Sequence, residues 1–481
     1  MTEISKGDYH AFETGIALSG GGYRAAAFGL GALLYLVDAG INKHVEVISS
    51  VSGGSIINGF VMQECDFASV DRDGFEKVAA KFVNKISRKS RLTYQILFAY
   101  SAILLLFAVF IITVIPRTAF AYVLTLFLIM VLAFFRGKLL DDMLSRIFFS
   151  KDGKTEKFGS FSRQCTHIFC ATDLSEGTPV FFLSWCGGYL YSKTYNVLNY
   201  GKNWLPVSDW AVSTIVRASA TFPFLFTPCR VVFDCGGRHS WIKYKFLADG
   251  GISNNLGTQW WDLLEDDYIY GPETTDGLKT HEVPGYKSQY RLLAFNASSP
   301  LKPRNTSIFH MPIIGEFAFL FRIANIIYSN TVTPRTTTFE RKVKDARRKN
   351  DLQKHICISI NEYIGKYADD AKHQVELMRD YNKELLGIFG KFDEKQKQCL
   401  SRSIDWQDFI RSLGDKPLSN RLDKLPTYCS NVTTTLLPLT PEQILNLIIL
   451  GYIRAMEVMH VEFAGPIIPD INEDRFVKLF A

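Results

Sequence analysis

Three short stretches of this sequence hold residue types suited to acyl transfer. The first contains Ser52, which follows the apolar run 45–48 and is flanked by Val51 and by Gly53-Gly54. A serine on a sharp strand-to-helix turn has its hydroxyl pushed clear of the backbone, provided the residues two before and two after it are small. Here those residues are Ser50 and Gly54. The second stretch is Ser19-Gly20-Gly21-Gly22-Tyr23-Arg24, between a short apolar strand and a helix rich in Ala and Leu. Consecutive glycines let N–H groups face a cleft without Cβ obstruction, and a helix N-terminus adds positive potential. Gly20, Gly21 and Gly22, with the N–H of Gly53, therefore form a candidate oxyanion hole. A phosphate cradle is the competing reading of such a run. This one lacks the G-K-[ST] ending of a P-loop and the G-x-G-x-x-G spacing of a dinucleotide site. The third stretch is Asp249-Gly250-Gly251, followed by Asn254-Asn255, at the end of the apolar run 244–248. A serine hydroxyl needs a base. None of the nine histidines lies in an evident catalytic setting near a strand end, and Asp249 is the better candidate. Asp234-Cys235-Gly236-Gly237 is a similar turn, so the tripeptide alone says little.

The surrounding periodicity supplies the elements that must hold these turns. Apolar runs at 14–18 and 45–48 alternate with helical stretches at 23–39 and 55–63, which argues for an α/β domain with a mainly parallel sheet. Further strands are expected at 167–171, 180–183, 244–248, 291–295 and 355–360. Helical spacing is expected at 208–218, in part of 315–350 and at 440–460. The basic run 341–349 reads as a solvated helix face, and the apolar stripes at 317–327 and 444–452 read as core.

Residues 93–115 and 118–135 break this pattern. Both are uncharged and apolar, separated only by Pro116-Arg117. As helices they would reach roughly 34 Å and 27 Å, close to a ~30 Å hydrocarbon core. Lys81, Lys85, Arg88, Lys89 and Arg91 precede the pair, and Arg136 and Lys138 follow it. The positive-inside rule then gives a transmembrane hairpin, spanning or re-entrant, with both soluble parts on the cytoplasmic side.

Composition sets wider bounds. The 481 residues carry 21% charged side chains and a formal net charge of +6. That mild basicity does not point to nucleic acid and suits anionic lipid headgroups. Nine cysteines without C-x-x-C pairs read as reduced thiols, and no cluster has metal-ligand spacing. The first twelve residues lack the apolar core of a cleaved signal peptide.

Five segments in order resemble the patatin-like phospholipase family. Gly20-Gly21-Gly22-Tyr23-Arg24 resembles its G-G-G-x-R/K segment, and Ser50-Val51-Ser52-Gly53-Gly54 its G-x-S-x-G elbow. Ala171-Thr172-Asp173-Leu174 with Gly177 resembles its A-T-D-L segment. Arg217-Ala218-Ser219-Ala220-Thr221-Phe222-Pro223 resembles R-A-S-x-x-x-P, and Asp249-Gly250-Gly251 with Asn254-Asn255 resembles D-G-G…N-N. Ala25 and Ser50 stand where the family has glycine. The resemblance implies a three-layer α/β/α domain and a Ser52–Asp249 dyad. The oxyanion would be held by Gly20, Gly21, Gly22 and Gly53, with Gly54, Gly250 and Gly251 shaping the turns. Arg24 would anchor the loop or bind lipid phosphate.

The expected organisation is a first part of the catalytic domain at 1–63 and an insertion with the two spans at 64–150. A second part follows at 151–300, and a mostly helical C-terminal extension of the same domain at 301–481. The expected activity is hydrolysis of membrane phospholipid or acylglycerol esters at a bilayer, without cofactor or metal. An acyltransferase with the same dyad and a non-catalytic membrane scaffold are the alternatives. The oligomeric state is not legible.

Overall fold

A computed structural model describes residues 13–87, 141–196, 202–232, 244–266, 290–298, 314–349, 355–386, 394–413 and 419–480, apart from isolated positions, together with 269 and 283–285. The expected membrane spans and the turn at Asp234 lie outside the described residues.

The fold is organised around one sheet that begins with two βα units. Strand β1 (Glu13–Leu18) leads through the glycine run into helix α1 (Gly22–Asp38). Strand β2 (Val45–Ser50) leads through Ser52 into α2 (Gly53–Glu64), and α3 (Arg72–Ser87) follows. A separate two-stranded pair, β3 (Ser150–Lys151) and β4 (Lys154–Thr155), precedes the second half of the sheet. That half contains β5 (Thr166–Asp173), β6 (Thr178–Leu183), β7 (Tyr189–Asn196) and β8 (Lys202–Pro206). Helix α4 (Val212–Ala220), β9 (Cys229–Val232) and β10 (Tyr244–Asp249) come next. After helix α5 (Gln259–Asp266) the chain returns as β11 (Tyr290–Asn296), α6 (Ile314–Lys349) and β12 (His355–Ser359). Helices α7 (Lys366–Leu386), α8 (Glu394–Ser412) and α9 (Pro441–Phe463) complete it.

The strand order is β12-β11-β1-β2-β5-β6-β7-β8, and β10 also pairs with β5 and β9. Strands β12, β11, β1, β2 and β5 run parallel, as expected, and β6 to β10 add an antiparallel wing. Parallel strands are buried on both faces. Accordingly, Ile16, Leu18, Ile48 and Phe295 join one apolar cluster, while Ala17, Val47, Ile168 and Ala294 join another on the opposite face. Helices α1, α2 and α9 contribute to the first cluster, and Trp260 and Trp261 of α5 and Val332 of α6 to the second. Helices thus cover the sheet on both sides.

Helix α9 is the one described helix long and apolar enough to cross a membrane, but 94% of its apolar window is buried. It starts at a capping box between Thr440 and Gln443 and lies directly on α1. A Cβ on Gly31 would come within 2.0 Å of Ile448 O, and one on Gly451 within 2.0 Å of Phe28 O. The stripe at 444–452 is core, as expected. The stripe at 317–327 is only partly so, since Phe319, Ile326 and Ile327 are exposed while Ala324 is buried.

Candidate active site

Two turns meet because β5 outruns β2. Residues 47–50 of β2 pair with Thr166 to Phe169, and there β2 ends. Beyond that point β5 pairs with β10, Ala171 facing Asp249. The serine turn after β2 and the aspartate turn after β10 are therefore registered against neighbouring residues of one strand. A third segment clamps them. The carbonyl of Ser219, at the end of α4, accepts from Ser52 N at 3.1 Å and from Gly250 N at 3.4 Å. Thr221 O accepts from Asp249 N at 3.0 Å, and Thr172 Oγ1 donates to Asp249 O at 3.1 Å. Three of the segments singled out in the sequence thus surround the aspartate: the one around Ala171-Thr172, the one around Ser219, and the D-G-G turn itself.

Ser52 has φ 51° and ψ −117°, a conformation rare for a residue with a side chain. The flanking glycines make it possible by close approach. A Cβ on Gly53 would sit 2.1 Å from Gly22 O, and one on Gly54 2.4 Å from Leu18 O. Ser50, in the position of the first elbow glycine, is accommodated by hydrogen bonds. Its hydroxyl donates to Ile168 O at 3.0 Å and accepts from Asn58 Nδ2 at 2.8 Å and from Ser55 Oγ at 3.0 Å. Ser55 lies 2.7 Å from Ser219 Oγ, which donates to Cys170 O at 2.7 Å. His167, buried below this network, has Nδ1 2.7 Å from Asn58 Oδ1, and burial pulls its pKa down to about 3. It is neutral and belongs to the scaffold of the elbow.

The glycine run lies beside this turn. Gly21 has φ +143° and Gly22 φ +60°, open to glycine at little cost. The N–H groups of Gly21, Gly22 and Gly53 donate to no acceptor among the described residues. Gly20 differs: its N–H is donated to Asn255 O at 3.0 Å, which removes it from the set of free donors. Its own contribution is space, since a Cβ there would lie 2.1 Å from Asn255 Oδ1 and 3.2 Å from Ser52 Cβ. Arg24 is buried, and Nη1 donates to Val432 O at 2.8 Å. Of the two roles expected for it, the contact favours anchoring the start of α1 to the C-terminal part of the chain.

Asp249 is fully buried, and burial raises its carboxyl pKa to about 7. Oδ1 accepts from Gly251 N at 2.8 Å, and Oδ2 has no partner of good hydrogen-bond geometry. The hydroxyls of Ser52 and Tyr328 are close enough to draw its pKa back down. Gly250 leaves no room for a side chain, since a Cβ would meet Cys170 O at 2.4 Å, and at Gly251 it would meet Tyr328 Cε1 at 2.3 Å. Among the described residues no group of His, Cys, Asp and Glu is arranged to hold a metal ion. A surface cleft of about 670 Å³, lined by Arg72, Glu76, Lys77, Arg475 and Lys478 among others, contains none of these residues.

Sequence reading missed Asn58, Ser55 and Tyr328. Asn58 and Ser55 left a faint signal as polar residues on an apolar helix, whereas Tyr328 left none.

The turn holding Ser52, the buried carboxyl of Asp249 and the glycine N–H groups thus gather at one end of an α/β sheet. The model of the patatin-like phospholipase family matches residues 16–259, and the chain belongs to that family. No curated protein matches the sequence. Among solved structures, human GIVD cytosolic phospholipase A2 is 13% identical over 44% of this chain and 28% of its own, with a TM-score of 0.27. The chain thus spans less than a third of that enzyme. VipD from Legionella pneumophila is 13% identical over 95% and 92% of the two chains, with a TM-score of 0.27. The ExoU–SpcU complex of Pseudomonas aeruginosa gives 13% identity, 95% and 80% coverage and a TM-score of 0.22.

Proposed function

We propose that this protein is a membrane-associated lipid acyl hydrolase, of phospholipase A or lysophospholipase type, working through Ser52 and Asp249. The observation that carries the reading is the unpartnered, buried Oδ2 of Asp249 beside the Ser52 hydroxyl. In this mechanism Ser52 Oγ attacks the ester carbonyl while its proton passes to Oδ2. The N–H groups of Gly21, Gly22 and Gly53 receive the charge that develops on the carbonyl oxygen. Collapse expels the alcohol, which takes the proton back, and leaves an acyl-serine. Water then attacks that ester with Asp249 again as base, releasing the fatty acid. Residence at the membrane rests on the uncharged stretches 93–115 and 118–135 and their basic flanks.

A fluorophosphonate probe on the full chain tests the chemistry. Mass spectrometry should find the adduct on Ser52, and Ser52→Ala should abolish both the adduct and fatty-acid release from phospholipid vesicles. Losses of at least about 10³-fold are expected for removal of a nucleophile. An unlabelled wild-type protein, or a Ser52→Ala variant that still releases fatty acid, would overturn the reading. Addition of an acceptor lipid separates hydrolysis from transacylation by the product formed.

A further inference from the structure

The base of this site faces a residue that lies outside the family-matched segment. Asp249 spends Oδ1 on the Gly251 N–H and leaves Oδ2 unpartnered, while the hydroxyls of Ser52 and Tyr328 lie close enough to its carboxyl to lower its pKa. Tyr328 comes from α6, well past residue 259. Its ring lies against the backbone of the D-G-G turn and against Phe222, with ring centroids 5.1 Å apart and planes tilted by 34°. One turn further along α6, Thr331 Oγ1 accepts from Asn255 N at 3.3 Å and lies 3.3 Å from Gly251 O. Helix α6 is thereby fastened to the same turn. The Tyr328 hydroxyl is buried, within reach of the carboxylate, and no other described group offers it a partner.

We propose that Tyr328 is the positioning residue of this site, donating to Asp249 Oδ2 and holding that oxygen toward Ser52. The proposal rests on the reading of Ser52 and Asp249 as nucleophile and base. A carboxylate in an apolar pocket needs hydrogen-bond donors to stay ionised. Burial and the adjacent carboxylate hold the Tyr328 phenol well above its ordinary range, so it remains a donor at any working pH. Charged groups do not do this work. Asp173 of β5 faces Lys245 of β10 at 3.4 Å, Arg217 of α4 faces Asp141 at 3.7 Å, and Asp262 of α5 faces Arg335 of α6 at 3.3 Å. None of these ion pairs includes Asp249, whose carboxyl is pushed up by burial and drawn back down by Ser52, Gly251 and Tyr328.

The test is the pH dependence of fluorophosphonate inactivation of the full chain. Tyr328→Phe keeps the ring packing and removes the donor. Its acid limb should move up by about 0.5–1 pH unit, with the plateau at high pH changed only a few-fold. Loss of packing alone would lower the rate at every pH without moving the limb. Placing a fluorotyrosine at position 328 strengthens the donor and should move the limb down, which keeps the proposal testable should Tyr328→Phe fail to fold. An acid limb unchanged from wild type in either variant overturns the role of Tyr328. Failure of wild-type Ser52 to react at all overturns the underlying dyad instead.

Discussion

A carboxyl group buried without a cation is unstable when charged, and at Asp249 that instability has a definite sign. Its folded pKa, raised to about 7, exceeds the ordinary 3.8. The folded state therefore holds the proton over a pH range where the unfolded chain has released it. Stability from this group is fully present below about 4 and is lost as pH rises toward 7. The proposed catalysis needs the opposite state, because only the carboxylate can accept the Ser52 proton. Hydrolysis should accordingly rise with pH through about 7. Asp249→Asn removes the charge and leaves a polar group of the same shape. The expected result is a variant without hydrolytic activity that is more stable than wild type at pH 8, by about 2–4 kcal/mol. The gap should narrow as pH falls toward 5. Denaturant melts of both proteins at the two pH values measure it, and a gap that does not change with pH would contradict the assignment.

At the level of elements, tolerance is set by backbone approach. Helix α9 crosses α1 so closely that Gly451 faces Phe28 O and Gly31 faces Ile448 O, each without room for a methyl group. Gly451→Ala should cost about 1–3 kcal/mol by forcing the helices apart. Activity would fall less than stability, because α1 carries the glycine run on its first turn and the contact lies further along. Thermal melts and assays of the same preparation separate the two. The parallel strands β1, β2, β11 and β12 were legible because burial on both faces makes them short continuous apolar runs. Strands β7 and β8 were not, since Tyr189–Asn196 and Lys202–Pro206 mix polar and aromatic residues without such a run. The amphipathic helices α7 and α8 fall in the stretch expected to be mostly helical but were not placed one by one, because their charged faces hide a weak apolar stripe. Helix α4 starts at Val212, four residues later than its pattern predicted, because residues 207–210 close a turn with Trp210 N donated to Val207 O. At the site, the glycine turns could be read because glycine is required there, by a positive φ at Gly21 and Gly22 and by close backbone approach at Gly53, Gly54 and Gly250. Ser219 was visible only as part of a segment, and Tyr328 not at all, because its role exists only where α6 meets the D-G-G turn.

Over the whole molecule, the family-matched segment 16–259 is not the unit that builds the site. Strand β11 pairs with β1 in the sheet, Thr331 of α6 bonds to the aspartate turn, and α9 packs against α1. Each comes from beyond residue 259. Between the two turns in sequence, residues 93–115 and 118–135 interrupt the family-matched segment with uncharged stretches as long as a bilayer core is thick. Contacts join the residues on the two sides of this segment: Lys85 Nζ donates to Ile147 O at 2.5 Å, and Phe82 meets Phe148 with centroids 5.6 Å apart. With its two ends held together, the intervening segment can be shortened without pulling on the sheet. Replacing residues 92–136 by a short flexible linker should therefore preserve hydrolysis of a soluble short-chain ester within a few-fold. On the proposed function, hydrolysis of phospholipid in vesicles should drop by at least about tenfold, because the shortened chain would lose the proposed residence at the surface that presents the lipid. Parallel assays on the two substrates, normalised to the fraction of protein labelled by a fluorophosphonate, distinguish a lost anchor from a damaged site. Equal turnover of vesicle lipid by the shortened and full-length chains would show that the apolar pair does not deliver the substrate.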